Sequence, residues 1–188
     1  MTTQGNFKVS ILRNGCVPAL TIPNTYAPFY RMKDKDIYTI VLENKGATKC
    51  DARVTIDGEV IGVWRILAGS SAVVRCPTNV AKCLVFRNSS KFTASSATGQ
   101  LPVNGKISVE FLPELGNTPE TPIPYHDYYP VQLKGQNGTL HDLNQSQYGT
   151  GTTVLGNPCE HSTELVELIA NIDHANKQTI DVWLVEEY

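Results

Sequence analysis

Four histidines and five cysteines are the residues of this chain best suited to metal or nucleophilic chemistry. His126, His141, His161 and His174 never recur two residues apart, the spacing that would set two imidazoles on one face of a strand. His126-Asp127 and His141-Asp142 are adjacent pairs. Neighbouring strand residues point to opposite faces, so a dipeptide is a poor chelate, and both pairs read as solvated loop polarity. Cys16, Cys50, Cys76, Cys83 and Cys159 are odd in number and contain no Cys-x-x-Cys pair. Cys159-Glu160-His161 offers two ligand types in a Cys-x-His arrangement, but a metal site would need further ligands from distant segments. The expectation is five small apolar residues, mostly buried and reduced. One or two disulfides formed after release are the alternative, and no metal or cofactor is expected.

Catalysis by a serine or cysteine needs a base, an orienting acid and an oxyanion site. No Gly-x-Ser-x-Gly occurs. Gly69-Ser70-Ser71 follows a strand pattern and reads as a hairpin turn. Asp51, Asp57, Glu59 and Glu110 lie in or beside strand patterns, and no two of them stand out as an acid and base pair. Gly149, Gly151 and Gly156 precede no helix, so they do not form a phosphate loop. No catalytic residue is assigned, and a hydrolase is the second alternative. The aromatics are more suggestive. Tyr26, Phe29 and Tyr30 cluster beside Pro28, and Tyr125, His126, Tyr128 and Tyr129 follow Pro124. Such rings fold down as lids on a sandwich edge, anchor protein interfaces, or stack on sugars. With Trp183, which lies opposite an apolar strand face, they form the expected interface or ligand surface. Trp64 is expected in the core.

These residues must be positioned by strands, because period-two alternation dominates the chain. Phe7, Val9 and Ile11 alternate with polar neighbours, and Tyr38, Ile40 and Leu42 lie in a run apolar on both faces. Arg53–Ile56 and Val60–Ile66 flank Asp57-Gly58, the strongest short-range hairpin signal, because a type I′ turn needs two residues at positive φ. Further strands are predicted at Ala72–Arg75, Cys83–Arg87, Lys106–Phe111, Val131–Lys134 and Thr179–Val185, with a turn at Asn104-Gly105. Pro18, Pro23 and Pro28 interrupt one connection, and Pro113, Pro119, Pro122 and Pro124 another. Residues 136–157 read as a long Gly/Asn/Gln/Thr-rich excursion, either a surface loop or a hairpin with a mobile tip. Ser162–Ile169 reads either as a short helix or as a strand. The pattern predicts one all-β domain over 1–188, an antiparallel, jelly-roll-like β-sandwich with long loops and at most one short helix. Residues 1–112 hold the dense strands, 113–160 the loop excursion, and 161–188 the closing segment and C-terminal strand. Ile180, Val182 and Leu184 form a face that needs a sheet to cover it.

Composition sets the remaining bounds. The 188 residues are 41% hydrophobic and only 18% charged, enough for a substantial core. A net charge of -2 supplies no field for phosphates, so nucleic acid is not an expected partner. No apolar run approaches the roughly 20 residues that span a bilayer. Met1 to Asn6 are polar, and Lys8, Ser10 and Arg13 interrupt the first apolar stretch, so no cleaved signal peptide is predicted. Asn88, Asn137 and Asn144 begin Asn-x-Ser/Thr triplets that chance explains in so Asn-, Ser- and Thr-rich a chain.

The segment Cys50–Pro77, reading CDARVTIDGEVIGVWRILAGSSAVVRCP, is followed by CLVFR at Cys83–Arg87 and NGKISVEFLPE at Asn104–Glu114. Together, about a third of the chain, they resemble uncharacterised β-sandwich proteins associated with large DNA viruses and with bacteria or phages. The resemblance implies an all-β domain and a virion or surface-structure role, and it transfers no catalytic residue. The sequence therefore predicts a non-enzymatic structural protein that self-assembles or docks on a virion, fibre or appendage, with a homo-oligomer or other structural proteins as partners. The expected place is a virion or extracellular assembly, with the cytoplasm as alternative. A glycan-binding or host-attachment module is the alternative function.

Overall fold

A computed structural model describes residues 2–14, 17–18, 21–22, 28–88, 104–116, 130–131, 151–159 and 166–186. Its strands are β1 (Thr2–Gln4), β2 (Phe7–Arg13), β3 (Val17–Pro18), β4 (Thr21–Ile22), β5 (Phe29–Met32), β6 (Ile37–Asn44) and β7 (Cys50–Ile56). They continue with β8 (Glu59–Ile66), β9 (Ser71–Val74), β10 (Lys82–Arg87), β11 (Lys106–Pro113), β12 (Pro130–Val131), β13 (Thr152–Pro158) and β14 (Gln178–Glu186). No helix occurs among the described residues.

The strands form two sheets, as the alternating patterns predict. One runs β1-β2-β6-β10-β13, with β3 beside β2 and β9 beside β6; the other runs β12-β8-β7-β11-β14-β5-β4. Alternation decides which side chains enter the core. In β2, Phe7, Val9 and Ile11 are buried; in β11, Ile107, Val109 and Phe111 are buried. These faces meet in one apolar cluster with Ile40, Leu42, Val54 and Ile56. Phe7 and Phe111 stack across the sheets at 4.5 Å. Trp64 belongs to the same core.

The hairpin at Asp57-Gly58 forms as the dipeptide dictates, with φ of 51° and 89°. Gly105, at φ 78°, turns the chain into β11, and a side chain there would meet the Leu184 carbonyl oxygen at 2.6 Å. The C-terminal strand lies inside the second sheet, between β11 and β5. Ile180, Val182 and Leu184 are accordingly buried.

Three elements differ from expectation. β14 and β5 pair in parallel, Trp183 opposite Phe29, so the sandwich is not purely antiparallel. A parallel pair requires a long crossover, and residues 33–177 lie between these strands. Residues 152–158, expected at the end of an excursion that read as a surface loop or a hairpin, form β13, and their partner is the distant β10 rather than a neighbouring strand of a local hairpin. In the segment expected as helix or strand, residues 162–165 lie outside the described residues, and 166–169 form neither. There the Ile169 amide donates to Asp51 at 2.8 Å, and Arg65 donates to the Glu167 carbonyl at 2.6 Å. The strand predicted at Val131–Lys134 is described only at its start, where Pro130 and Val131 pair with Trp64 and Val63.

Candidate functional site

Of the aromatic surface expected from the sequence, Tyr26, Tyr125, His126, Tyr128 and Tyr129 lie outside the described residues. The other three meet at the β5–β14 pair. Tyr30 is 1% exposed, and its hydroxyl donates to the Val9 carbonyl at 3.4 Å. It joins the sheets from within and presents no surface to a ligand. Trp183 is 5% exposed, with Phe29 6.2 Å away and the Lys106 ammonium 5.3 Å from its ring. Its cover comes from this chain's own β5 rather than from a neighbouring subunit. Phe29 alone of the three remains partly exposed.

The buried carboxylates are engaged in structure. Asp51, 2% exposed, takes Arg65 through both oxygens, at 2.5 and 3.2 Å, as well as the Ile169 amide. Asp57 does more than close its turn. It accepts from the Gly105 amide at 2.5 Å, the Thr152 hydroxyl at 3.0 Å and the Thr153 amide at 2.8 Å. Burial raises its pKa, and the Thr153, Thr152 and Gly105 donors oppose that rise. Thr153 also bonds the Tyr38 hydroxyl at 2.6 Å, and burial pushes that phenol far up. With every oxygen of Asp57 occupied, neither carboxylate offers a free base to a substrate.

A cleft of about 270 Å³ at one end of the sandwich is lined by Asn44, Glu114, Leu115, Asp173, Asn176 and Gln178, among others. Its polar groups are mostly turned on the protein. Asn44 serves Gly46 and Thr48, Glu114 pairs with Lys49 at 3.3 Å, and Asp173 holds its own turn through Ala175 and Asn176. No group of three or more His, Cys, Asp or Glu among the described residues is arranged to hold a metal ion.

The most distinctive surface is an edge. β13 pairs with β10 on one side, Thr152 to Arg87 through Pro158 to Lys82, and with nothing on the other among the described strands. Its seven residues, TTVLGNP, carry no charge. Thr153 and Leu155 turn to the core, and Val154, opposite Val85, turns away from it. Asp57 fixes the start of the strand through Thr152 and Thr153, tying it to the other sheet. Sequence reasoning missed this site because the glycines around it resemble a loop; the signal available was the β-branched run Thr152-Thr153-Val154. No known protein family, curated protein or solved structure matches this chain.

Proposed function

We propose that the protein is a non-enzymatic structural component, a jelly-roll-like sandwich that assembles by adding a strand of a second copy to β13. The observation that carries this reading is that β13, among the described strands, is paired on one side only. A free edge presents unpaired N–H and C=O groups that template another strand, and proteins blunt such edges with charge, proline or brevity. The other described one-sided strands are brief: β1 has three residues, β3, β4 and β12 two each, and β9 four. β13 has seven and no charge, with its proline only at the end. A virion, fibre or surface appendage is the setting in which such an edge is useful, and the resemblance of the central segment supports it. Burial of Tyr30 and Trp183 favours this reading over a glycan platform built on those rings.

Light scattering coupled to size exclusion tests it. The wild type is expected to form oligomers whose mass grows with concentration. Val154→Lys places a charge on the outward face of the edge and is expected to give monomers that melt at the wild-type temperature. A wild type that stays monomeric at high concentration, or oligomers indifferent to Val154→Lys, would overturn the proposal.

A further inference from the structure

Two cysteines of one loop and a third from far along the chain meet at the other end of β13. β9 and β10 both lie beside β6, Val74 opposite Ile40 and Leu84 opposite Tyr38. The eight residues between Arg75 and Leu84 leave the sheet and return, and the Leu84 amide donates to the Arg75 carbonyl at 3.3 Å to close the neck. Cys76 and Cys83 are the first and last residues of this loop. The loop is pinned by Thr78, whose amide and hydroxyl donate to the Ile61 carbonyl at 2.9 and 3.2 Å. Cys159 follows β13 directly. Its amide donates to the Ala81 carbonyl at 3.1 Å, extending the pairing of Pro158 with Lys82. The register shift between Lys82 and Leu84 falls on Cys83. Cys159 is close enough to both Cys76 and Cys83 to raise the pKa of each thiol, after burial itself. All three are free thiols.

Thiols serving only as apolar filler would be fully buried, as Cys50 is. Here Cys76 is buried, whereas Cys83 and Cys159 are partly exposed. We propose that Cys76, Cys83 and Cys159 form a thiol–disulfide site for small hydroperoxides, in which Cys159 closes a disulfide with Cys83 and Cys76 exchanges into it. The Cys83 thiolate attacks the peroxide oxygen. The O–O bond breaks, the sulfur becomes a sulfenic acid, and the departing oxygen takes up a proton as water or alcohol. The Cys159 thiol then attacks that sulfur and water leaves, so two thiols are oxidised by two electrons and one peroxide is reduced. Attack of the Cys76 thiolate on Cys159 displaces Cys83 with no further oxidation. Burial first, then the neighbouring Cys159, holds the Cys83 thiol above its ordinary pKa. Because the thiolate is the nucleophile, each pH unit of rise in the neutral range is expected to speed oxidation up to about tenfold.

The test is to treat the folded, full-length chain with hydrogen peroxide, block the remaining thiols under denaturing conditions, and map cross-linked peptides by mass. Of five alkylatable thiols, two should be lost, with Cys159 joined to Cys83 or Cys76 within one chain. Cys159→Ser should abolish both links. Cys83→Ser should also abolish both links, whereas Cys76→Ser should still yield Cys83–Cys159, which keeps the proposal falsifiable where Cys159→Ser fails to fold. Five thiols left unchanged, links confined to Cys16 or Cys50, or links only between chains would overturn it. The outcome is independent of assembly at β13, which light scattering reads separately.

Discussion

Asp57 shows how one side chain can have a second task that its local sequence does not reveal. Asp-Gly dictates the turn, and the turn forms with both residues at positive φ. The Thr152 hydroxyl that Asp57 also accepts from lies 95 residues away, beyond the reach of any local pattern. Asp57→Asn presents an amide N–H₂ to the Gly105 donor in one rotamer and to the Thr152 and Thr153 donors in the other, so at least one donor loses its acceptor. It is expected to cost about 1–3 kcal/mol, read from urea unfolding near neutral pH. The pH dependence follows from the raised pKa. A carboxyl whose folded pKa exceeds its unfolded value contributes stability that is complete below the unfolded value and lost as pH rises through the folded one. The wild type should therefore gain stability relative to Asp57→Asn as pH falls through that window; a constant difference would show that Asp57 does not titrate there. Asp51 teaches the same lesson. Its position in a strand was readable, but its pairing with Arg65 and the Ile169 amide depends on strands β7 and β8 lying side by side and on the chain returning from far away.

Among the elements, hairpins were readable and long-range partners were not. β7 and β8 are neighbours in sequence with a turn whose chemistry is specific, so Val54 and Ile56 fall on the buried face as alternation predicts. β13 depends on distant β10 and β5 on distant β14 as well as nearby β4, while Gly156 in β13 and Pro28 before β5 argue for loops. In β13 the glycine has a packing reason. A Cβ at Gly156 would lie 2.4 Å from a methyl of Val85 on β10. Gly156→Ala should therefore destabilise by about 1–3 kcal/mol through overpacking. It should also raise amide exchange selectively along β10 and β13; exchange unchanged there would show that the two strands accommodate the methyl.

For the whole molecule, both sheets share one apolar cluster, so neither has a core of its own. Unfolding is expected to be a single cooperative step. Both tryptophans, Trp64 and Trp183, lie in the sheet containing β7, β8, β11 and β14, so their fluorescence reports that sheet while far-ultraviolet circular dichroism reports both. Coincident urea transitions are expected, and a fluorescence transition displaced from the dichroism would show that the sheets part independently. The sequence by itself determined the class: alternation, low charge and the Asp-Gly and Asn-Gly turns specify strands with one buried face, because side-chain direction in a strand depends only on position along it. Tertiary structure decided the rest. It paired β14 with β5 in parallel, buried Tyr30 and Trp183, left β13 with one partner among the described strands, and gathered Cys76, Cys83 and Cys159. Each of these depends on which distant strands become neighbours, and that is selected by the packing of two whole apolar faces rather than by any local run of residues.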